Sequence, residues 1–259
     1  MLMKNLIYHE RLDSTNRLAK ELVGKGLAAG AVIQAGSQDA GRGQYERSFS
    51  SPPGGLYFSL ILHPLLSVQE ISLVTLAAGL GCRDAIIEQC DCATLIKWPN
   101  DLYCSGKKIA GILSEHCSGV EVEHADSIVV VGVGINVNNR FSDFPEELRG
   151  KLSTLQDCCG RLFDTSELLK ACVNGISRRV TQLTSSRSTF FEDWRQVDYL
   201  YGRMVQHSLR EMELGVGIGK GIDEQGCYLL EDKKGQILRV LGGQLRPMDS
   251  GIEMDKEVK

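Results

Sequence analysis

Apolar positions fall into short β-like runs set between longer stretches of helical periodicity. Leu6-Ile7-Tyr8, residues 31–35 and the nearly continuous Leu56-Tyr57-Phe58-Ser59-Leu60-Ile61-Leu62 predict strands. The last lacks alternation, as expected of a central strand covered on both faces. Leu18, Leu22 and Val23 recur at helical spacing and predict a helix over about 17–23, capped by Ser14 or Thr15 and ended by Gly24 or Gly26. Ser67 and Glu70 have the form of a capping box before a helix reaching about residue 88. That helix is apolar over much of its surface, which suits packing against a sheet. Residues 95–98 and 102–104 predict short strands around Pro99-Asn100-Asp101, and 127–138 a buried one. A short helix is expected from Phe144-Pro145 onward, a longer one from Asp164 to about 183, and a third over about 189–197. Beyond about 201 the pattern changes to short strands at 204–207, 214–219, 227–230 and 237–240, and residues 248–259 read as a frayed terminus. The expected class is α+β: a mixed sheet with packed helices over 1–200, a small β-barrel over 201–250 and a tail over 251–259.

Composition narrows the picture. A chain of 259 residues can bury a sizeable core without staples. A net charge of −4 gives no broad electrostatic capture of nucleic acid. Residues 1–10 lack an apolar core of signal-peptide length and no run reaches membrane-spanning length. The nine cysteines include no Cys-x-x-Cys pair, and their spacings fit neither a zinc site nor a disulfide framework. Scattered thiols imply a reducing compartment, so a cytoplasmic protein is expected.

Candidate chemistry concentrates in three segments. In residues 97–115, Pro99 ends a strand, Ser105-Gly106 turns a hairpin, and the unit gathers Asn100, Asp101, Lys107 and Lys108. Gly111 leaves room there for a ligand or a second backbone. Such residues also occur in ordinary solvated hairpins. Ser14-Thr15-Asn16 makes either a plain helix cap or a polar site at a helix start. In residues 37–49, two glycines flank Arg42, so the backbone can approach a ligand while the guanidinium holds an anion. Gly-Arg-Gly is also common in flexible loops. Gly132 and Gly134 allow close strand packing.

Taken together, these segments resemble the biotin–protein ligases in the order Ser-Thr-Asn, Gly-Arg-Gly-Gln-x-x-Arg, Lys-Trp-Pro-Asn-Asp…Lys-x-x-Gly-Ile-Leu and Gly-x-Gly-Ile-Asn-Val. The resemblance spans most of the chain. It implies a class II synthetase-like catalytic domain followed by an SH3-like barrel. It implies that biotin and ATP form biotinyl-5′-AMP and pyrophosphate, and that a lysine of a biotin carboxyl carrier protein then attacks, releasing AMP. Lys108 is expected as principal catalytic cation, with Arg42 assisting; Asp101 holds Mg²⁺ or receives a proton. Ser14, Thr15, Asn16, Gln38, Gly41, Arg42, Gly43, Gln44, Lys108 and Gly111 are expected at biotin. Arg42, Arg47, Phe49, Asn100, Lys108 and Asn136 are expected at ATP. No tightly bound prosthetic group is implied.

Two departures stand out. Phe49 occupies a position commonly tryptophan, and Glu46, expected to point to solvent, one often glycine. Some relatives carry an N-terminal helix-turn-helix domain. With Ser14 so near the start, the monofunctional type without specific DNA binding is expected, as monomer or homodimer and without membrane association. The alternatives are a lipoate or octanoate ligase or transferase, whose Arg-Arg-x-x-Gly-Gly-Gly motif is absent, and an idle biotin-binding module.

Overall fold

The computed structural model describes residues 5–67, 70–117, 128–209 and 212–248. A polar connection is expected over residues 116–126; His116 instead continues the strand that ends at Cys117, while residues 118–127 and the tail beyond 248 lie outside the described residues. Seven strands form the larger sheet: β1 (Asn5–Leu12), β2 (Ala31–Gln38), β3 (Leu56–Leu62), β4 (Leu95–Lys97), β5 (Asp101–Cys104), β6 (Lys107–Cys117) and β7 (Ile128–Ile135). Their order is β1-β2-β3-β7-β6-β5-β4. Only β1 and β2 run parallel; the other neighbours are antiparallel, so the sheet is mixed.

Helices cover both faces. The helix α1 (Thr15–Gly24) buries Ala19 and Val23 against Ile33, Ile61 and Val130. It starts two residues earlier than expected because the Ser14 hydroxyl accepts from the Arg17 amide. On the other face lies α2 (Ile71–Cys90), with the Ser67 amide and hydroxyl both donating to Glu70 just before it. Its all-round apolarity has a cause: the sheet lies on one side and α5 (Thr165–Ser185) on the other. A Cβ at Gly81 would come within 2.4 Å of the Ile176 amide, so glycine permits the two helices to touch. Short helices α3 (Glu146–Arg149) and α4 (Leu155–Cys159) follow β7, and α6 (Arg187–Gln196) buries Phe190 and Trp194.

The remaining strands, β8 (Met204–Leu209), β9 (Met212–Ile222), β10 (Tyr228–Glu231), β11 (Ile237–Val240) and β12 (Gln244–Pro247), make an antiparallel sheet in the order β11-β10-β9-β8-β12. The sequence pattern did not anticipate β12. Its buried Val205, Tyr228, Leu230, Val240 and Leu245 belong to the same apolar core as α2 and the larger sheet. Among the described residues no helix is long and apolar enough to cross a membrane.

One expectation fails. Cysteine spacing suggested scattered thiols, yet Cys92, Cys104 and Cys158 bring their sulfurs within 4.8 Å of one another. The chain segments between them fold away, so sequence distance carried no information about the meeting point.

Candidate active site

The site lies on the α1 face of the larger sheet, beyond the N-terminus of that helix. Its floor is a patch of bare backbone. Gly111 on β6 pairs with Gly134 on β7, and Leu113 pairs with Gly132. At the first pair neither strand carries a side chain, and at the second only Leu113 does. The space is used at once. A Cβ on Gly132 would meet the Asn16 Oδ1 at 2.1 Å, and one on Gly134 would meet the Phe49 ring at 2.4 Å. These glycines thus make room for site side chains as well as for strand pairing.

Around this floor the segments from Ser14, Gly41 and Lys97 converge. A cavity of about 130 Å³ is lined by Ser14, Thr15, Asn16, Gln38, Arg42, Gly43, Gln44, Arg47, Phe49, Asn100, Asp101, Lys108 and Gly111. Of the expected site residues, Gly41 and Asn136 stand outside this lining. Gly41 acts beneath the loop: a Cβ there would lie 2.4 Å from the Phe49 carbonyl oxygen. Asn136 is buried, donating to the Ser153 carbonyl at 3.1 Å, and its Oδ1 has no partner among the described residues. The Glu46 side chain lies outside the described set.

Hydrogen bonds preset most of these groups. The Asn16 amide donates to Glu115 at 2.8 Å and accepts from Ser59 at 2.6 Å, and Glu115 also pairs with Lys20. Gln38 accepts from the Thr15 amide at 2.8 Å, which satisfies a free donor at the helix start, and donates to Ser51 at 2.8 Å. Asn100 donates to the Ile112 carbonyl at 2.8 Å. The Lys108 ammonium lies 2.5 Å from Asp101 and 5.8 Å from the Phe49 ring centre. The guanidiniums of Arg42 and Arg47, by contrast, form no ion pair among the described residues. Two exposed cationic groups therefore remain available to an anion beside an already balanced Lys–Asp pair.

The loop over the site is a small closed structure. The Gly43 amide donates to the Arg47 carbonyl at 2.7 Å, and the Phe49 amide to the Gly41 carbonyl at 2.8 Å. Its tip is Tyr45, in the left-handed region with φ 55°. The Tyr45 hydroxyl accepts from the Gly243 amide at 2.7 Å, tying the loop to the C-terminal sheet.

Sequence reasoning missed a second opening next to the first. This cleft of about 280 Å³ is lined by Arg47, Lys97, Trp98, Asn100, Asp101, Lys151 and Arg246, among others. Four cations face it against one carboxylate in that group. Burial holds the Lys97 pKa below its ordinary value, so this ammonium gains from an anionic neighbour. Lys97 sat unremarked inside a recognised motif, and Lys151 and Arg246 belong to no motif at all. Arg246 comes from β12 and reaches the cleft only because the two sheets pack together.

The geometry sets a small polar cavity beside a basic cleft, with Gln44, Arg47, Asn100 and Asp101 lining both, a layout for a carboxylic acid next to a polyphosphate. Residues 8–136 match the profile of the biotin/lipoate A/B protein ligase family. The bifunctional ligase/repressor BirA of Bacillus subtilis is 34% identical over 237 residues, covering 90% of this chain and 71% of that protein. The chain belongs to the biotin–protein ligase family. The biotin–[acetyl-CoA-carboxylase] ligase of Paracoccus denitrificans is 30% identical over 87% of this chain and 94% of its own length. The Aquifex aeolicus biotin protein ligase, solved in complex with biotin and ATP, superposes with a TM-score of 0.79 at 30% identity over 94% of this ligase and 99% of that chain.

Proposed function

We propose that the chain is an ATP-dependent biotin–protein ligase that makes biotinyl-5′-AMP and transfers biotin to a lysine of a biotin carboxyl carrier protein. The observation that carries this reading is the position of Lys108. Its ammonium lines the polar cavity, and its partner Asp101 lines both the cavity and the basic cleft.

A carboxylate acylates poorly because oxide is its leaving group. Attack of a biotin carboxylate oxygen on the α-phosphorus makes AMP the leaving group of the next step. The first barrier is charge build-up at phosphorus, which fixed cations lower. In our assignment Ser14, Thr15, Asn16 and Gln38 hold the ureido ring over the glycine floor. Lys108 and Arg42 span the carboxylate and the α-phosphate. Arg47, Lys97, Lys151 and Arg246 receive the other phosphates. Asp101 keeps Lys108 oriented, then takes a proton from the incoming amine. Asn136 acts from beneath, holding the Ser153 segment against β7.

The donor set does not fit a resident magnesium ion. Asp101 is the carboxylate of the cavity lining, and Lys108 already neutralises it. Magnesium sites draw on one or two carboxylates together with substrate phosphates, so the ion belongs with the nucleotide. Residues 1–200 are assigned to catalysis and 201–250 to closing the basic cleft through β12. The named relatives point to an acetyl-CoA carboxylase subunit as acceptor, and a reducing cytoplasm suits nine free thiols.

The test is biotin-dependent pyrophosphate release from ATP, with and without a biotin carboxyl carrier domain. Release coupled to mass gain on the carrier is expected. Release with lipoate or octanoate but none with biotin would reassign the substrate.

A further inference from the structure

Away from the cavity, three thiols from separate elements converge. Cys92 follows Asp91, the left-handed residue that ends α2; Cys104 closes β5; Cys158 lies in α4. The Cys92 and Cys104 sulfurs are 3.1 Å apart, and all three lie within 4.8 Å of one another. Cys92 and Cys104 are buried while Cys158 is half-buried, so the group is enclosed but open on one side. Among the described residues no imidazole or carboxylate joins the set. Hydroxyls flank it, Ser153 at 3.5 Å from Cys158 and Ser105 at 3.7 Å from Cys104.

We propose that Cys92, Cys104 and Cys158 form a three-thiolate site for a thiophilic d¹⁰ cation. Metal–sulfur bonds of about 2.3 Å place three sulfurs of a trigonal site about 4 Å apart, a spacing within reach of a group whose sulfurs all lie within 4.8 Å of one another. A disulfide would engage two of these sulfurs and leave the third unused. Soft sulfur donors select Cu(I) and Zn(II) over the hard cations that travel with nucleotides. Binding replaces three S–H bonds with three S–metal bonds and releases the three protons to solvent. Lys107 lies close enough to act electrostatically on Cys158, offsetting part of the negative charge left on the complex. The third donor is separated widely in sequence from the other two, so the site exists only in the folded chain.

Its place in the fold gives it a role. Cys104 and Asp101 lie at opposite ends of β5, and the Ser153 amide donates to the Lys108 carbonyl at 2.9 Å. A bound ion would therefore clamp the end of α2, the β5–β6 hairpin and α4 behind the Lys–Asp pair.

The experiment is anaerobic titration of the reduced, metal-free full chain with Cd²⁺, followed by thiolate-to-metal charge-transfer absorption and by X-ray absorption at the cadmium edge. We expect one equivalent bound, three sulfur neighbours, and a rise in melting temperature. Cys158→Ser, at the half-buried position, should weaken binding at least tenfold, whereas Cys227→Ser should leave it unchanged. Absence of stoichiometric binding, fewer than three sulfur neighbours in the unmodified protein, or an undiminished band in Cys158→Ser would each overturn the site. The sulfur count uses no variant, so it holds even where a substitution unfolds the chain. None of these readouts depends on ligase activity.

Discussion

Lys108 and the glycines beneath it make separable demands on the site. Replacing Lys108 with alanine removes the cation assigned to the α-phosphate and leaves Asp101 without its partner. Pyrophosphate release should fall by about 10²–10³, the scale seen when one preorganised charge-stabilising group is deleted; near-normal release would sink the assignment. The floor offers a sharper contrast. Gly132→Ala pushes against Asn16, whose carboxamide is already locked by Ser59, Leu113 and Glu115. That network cannot give way cheaply, so a stability loss of about 1–3 kcal/mol is expected in denaturant melts. Gly134→Ala pushes against the Phe49 ring, which can swing aside. Its melt should stay close to the parent while calorimetric affinity for biotin plus ATP drops tenfold or more. Equal stability losses in the two variants would show that the floor is only strand packing. Much of this site was legible because its groups come in contiguous runs: Ser14 to Asn16, Gly41 to Phe49, Lys97 to Gly111. Glu115, Lys151 and Arg246 were not, since each is ordinary in its local context and gains meaning from strand register and sheet packing.

Among the elements, the loop from Gly41 to Phe49 carries the most consequence. Its cavity of about 130 Å³ is small beside the roughly 300 Å³ at which pockets begin to hold whole small ligands. Phe49, resting on Gly111 and Gly134, takes up part of the space. Outward motion of the loop would widen it, and the Tyr45–Gly243 hydrogen bond opposes that motion. A non-glycine residue at φ 55° stores of order 1 kcal/mol of strain, which this bond helps offset. Tyr45→Phe removes about 1 kcal/mol of hydrogen bonding, so trypsin cleavage after Arg42 or Arg47 should accelerate about fivefold, with saturating biotin and ATP restoring protection. An unchanged cleavage rate would mean the tether does not hold the loop. The elements themselves were largely readable from periodicity. The errors came where pairing supplies what side chains do not announce. Polar His9-Glu10-Arg11 extends β1 because β2 runs alongside it in parallel register. Gln244 to Pro247 carries a residue disfavoured in strands, yet forms β12 as an edge strand against β8.

For the molecule as a whole, the decisive contact is where the second sheet meets the first. The Trp98 indole donates to the Gly226 carbonyl at 2.9 Å, and Gly226 sits against Leu73 and Leu76 of α2. Beside it, Asp198 accepts from the Tyr228 hydroxyl at 2.8 Å and from the Leu200 amide at 2.9 Å. Burial outweighs these bonds and pushes its pKa from 3.8 up to about 7. An acid that is harder to ionise in the fold than in the open chain binds its proton more tightly when folded. Below pH 4 both states hold the proton and the group is neutral to stability. As pH rises from about 4 to about 7 the unfolded chain ionises first, so the fold loses up to about 4 kcal/mol, and no more beyond that. Asp198→Asn removes the titration while retaining a carbonyl oxygen for the Leu200 amide. The melting temperature of the variant should therefore gain on the parent between pH 5 and pH 8, with most of the gain reached by pH 7. Parallel melting curves across that range would show that Asp198 stays ionised in the fold. The same junction brings Arg246 to the basic cleft, so the pyrophosphate-release rate of the parent should become more sensitive to mild denaturant as pH rises. That sensitivity should be absent in Asp198→Asn, because a junction that no longer titrates holds β12 in place at every pH.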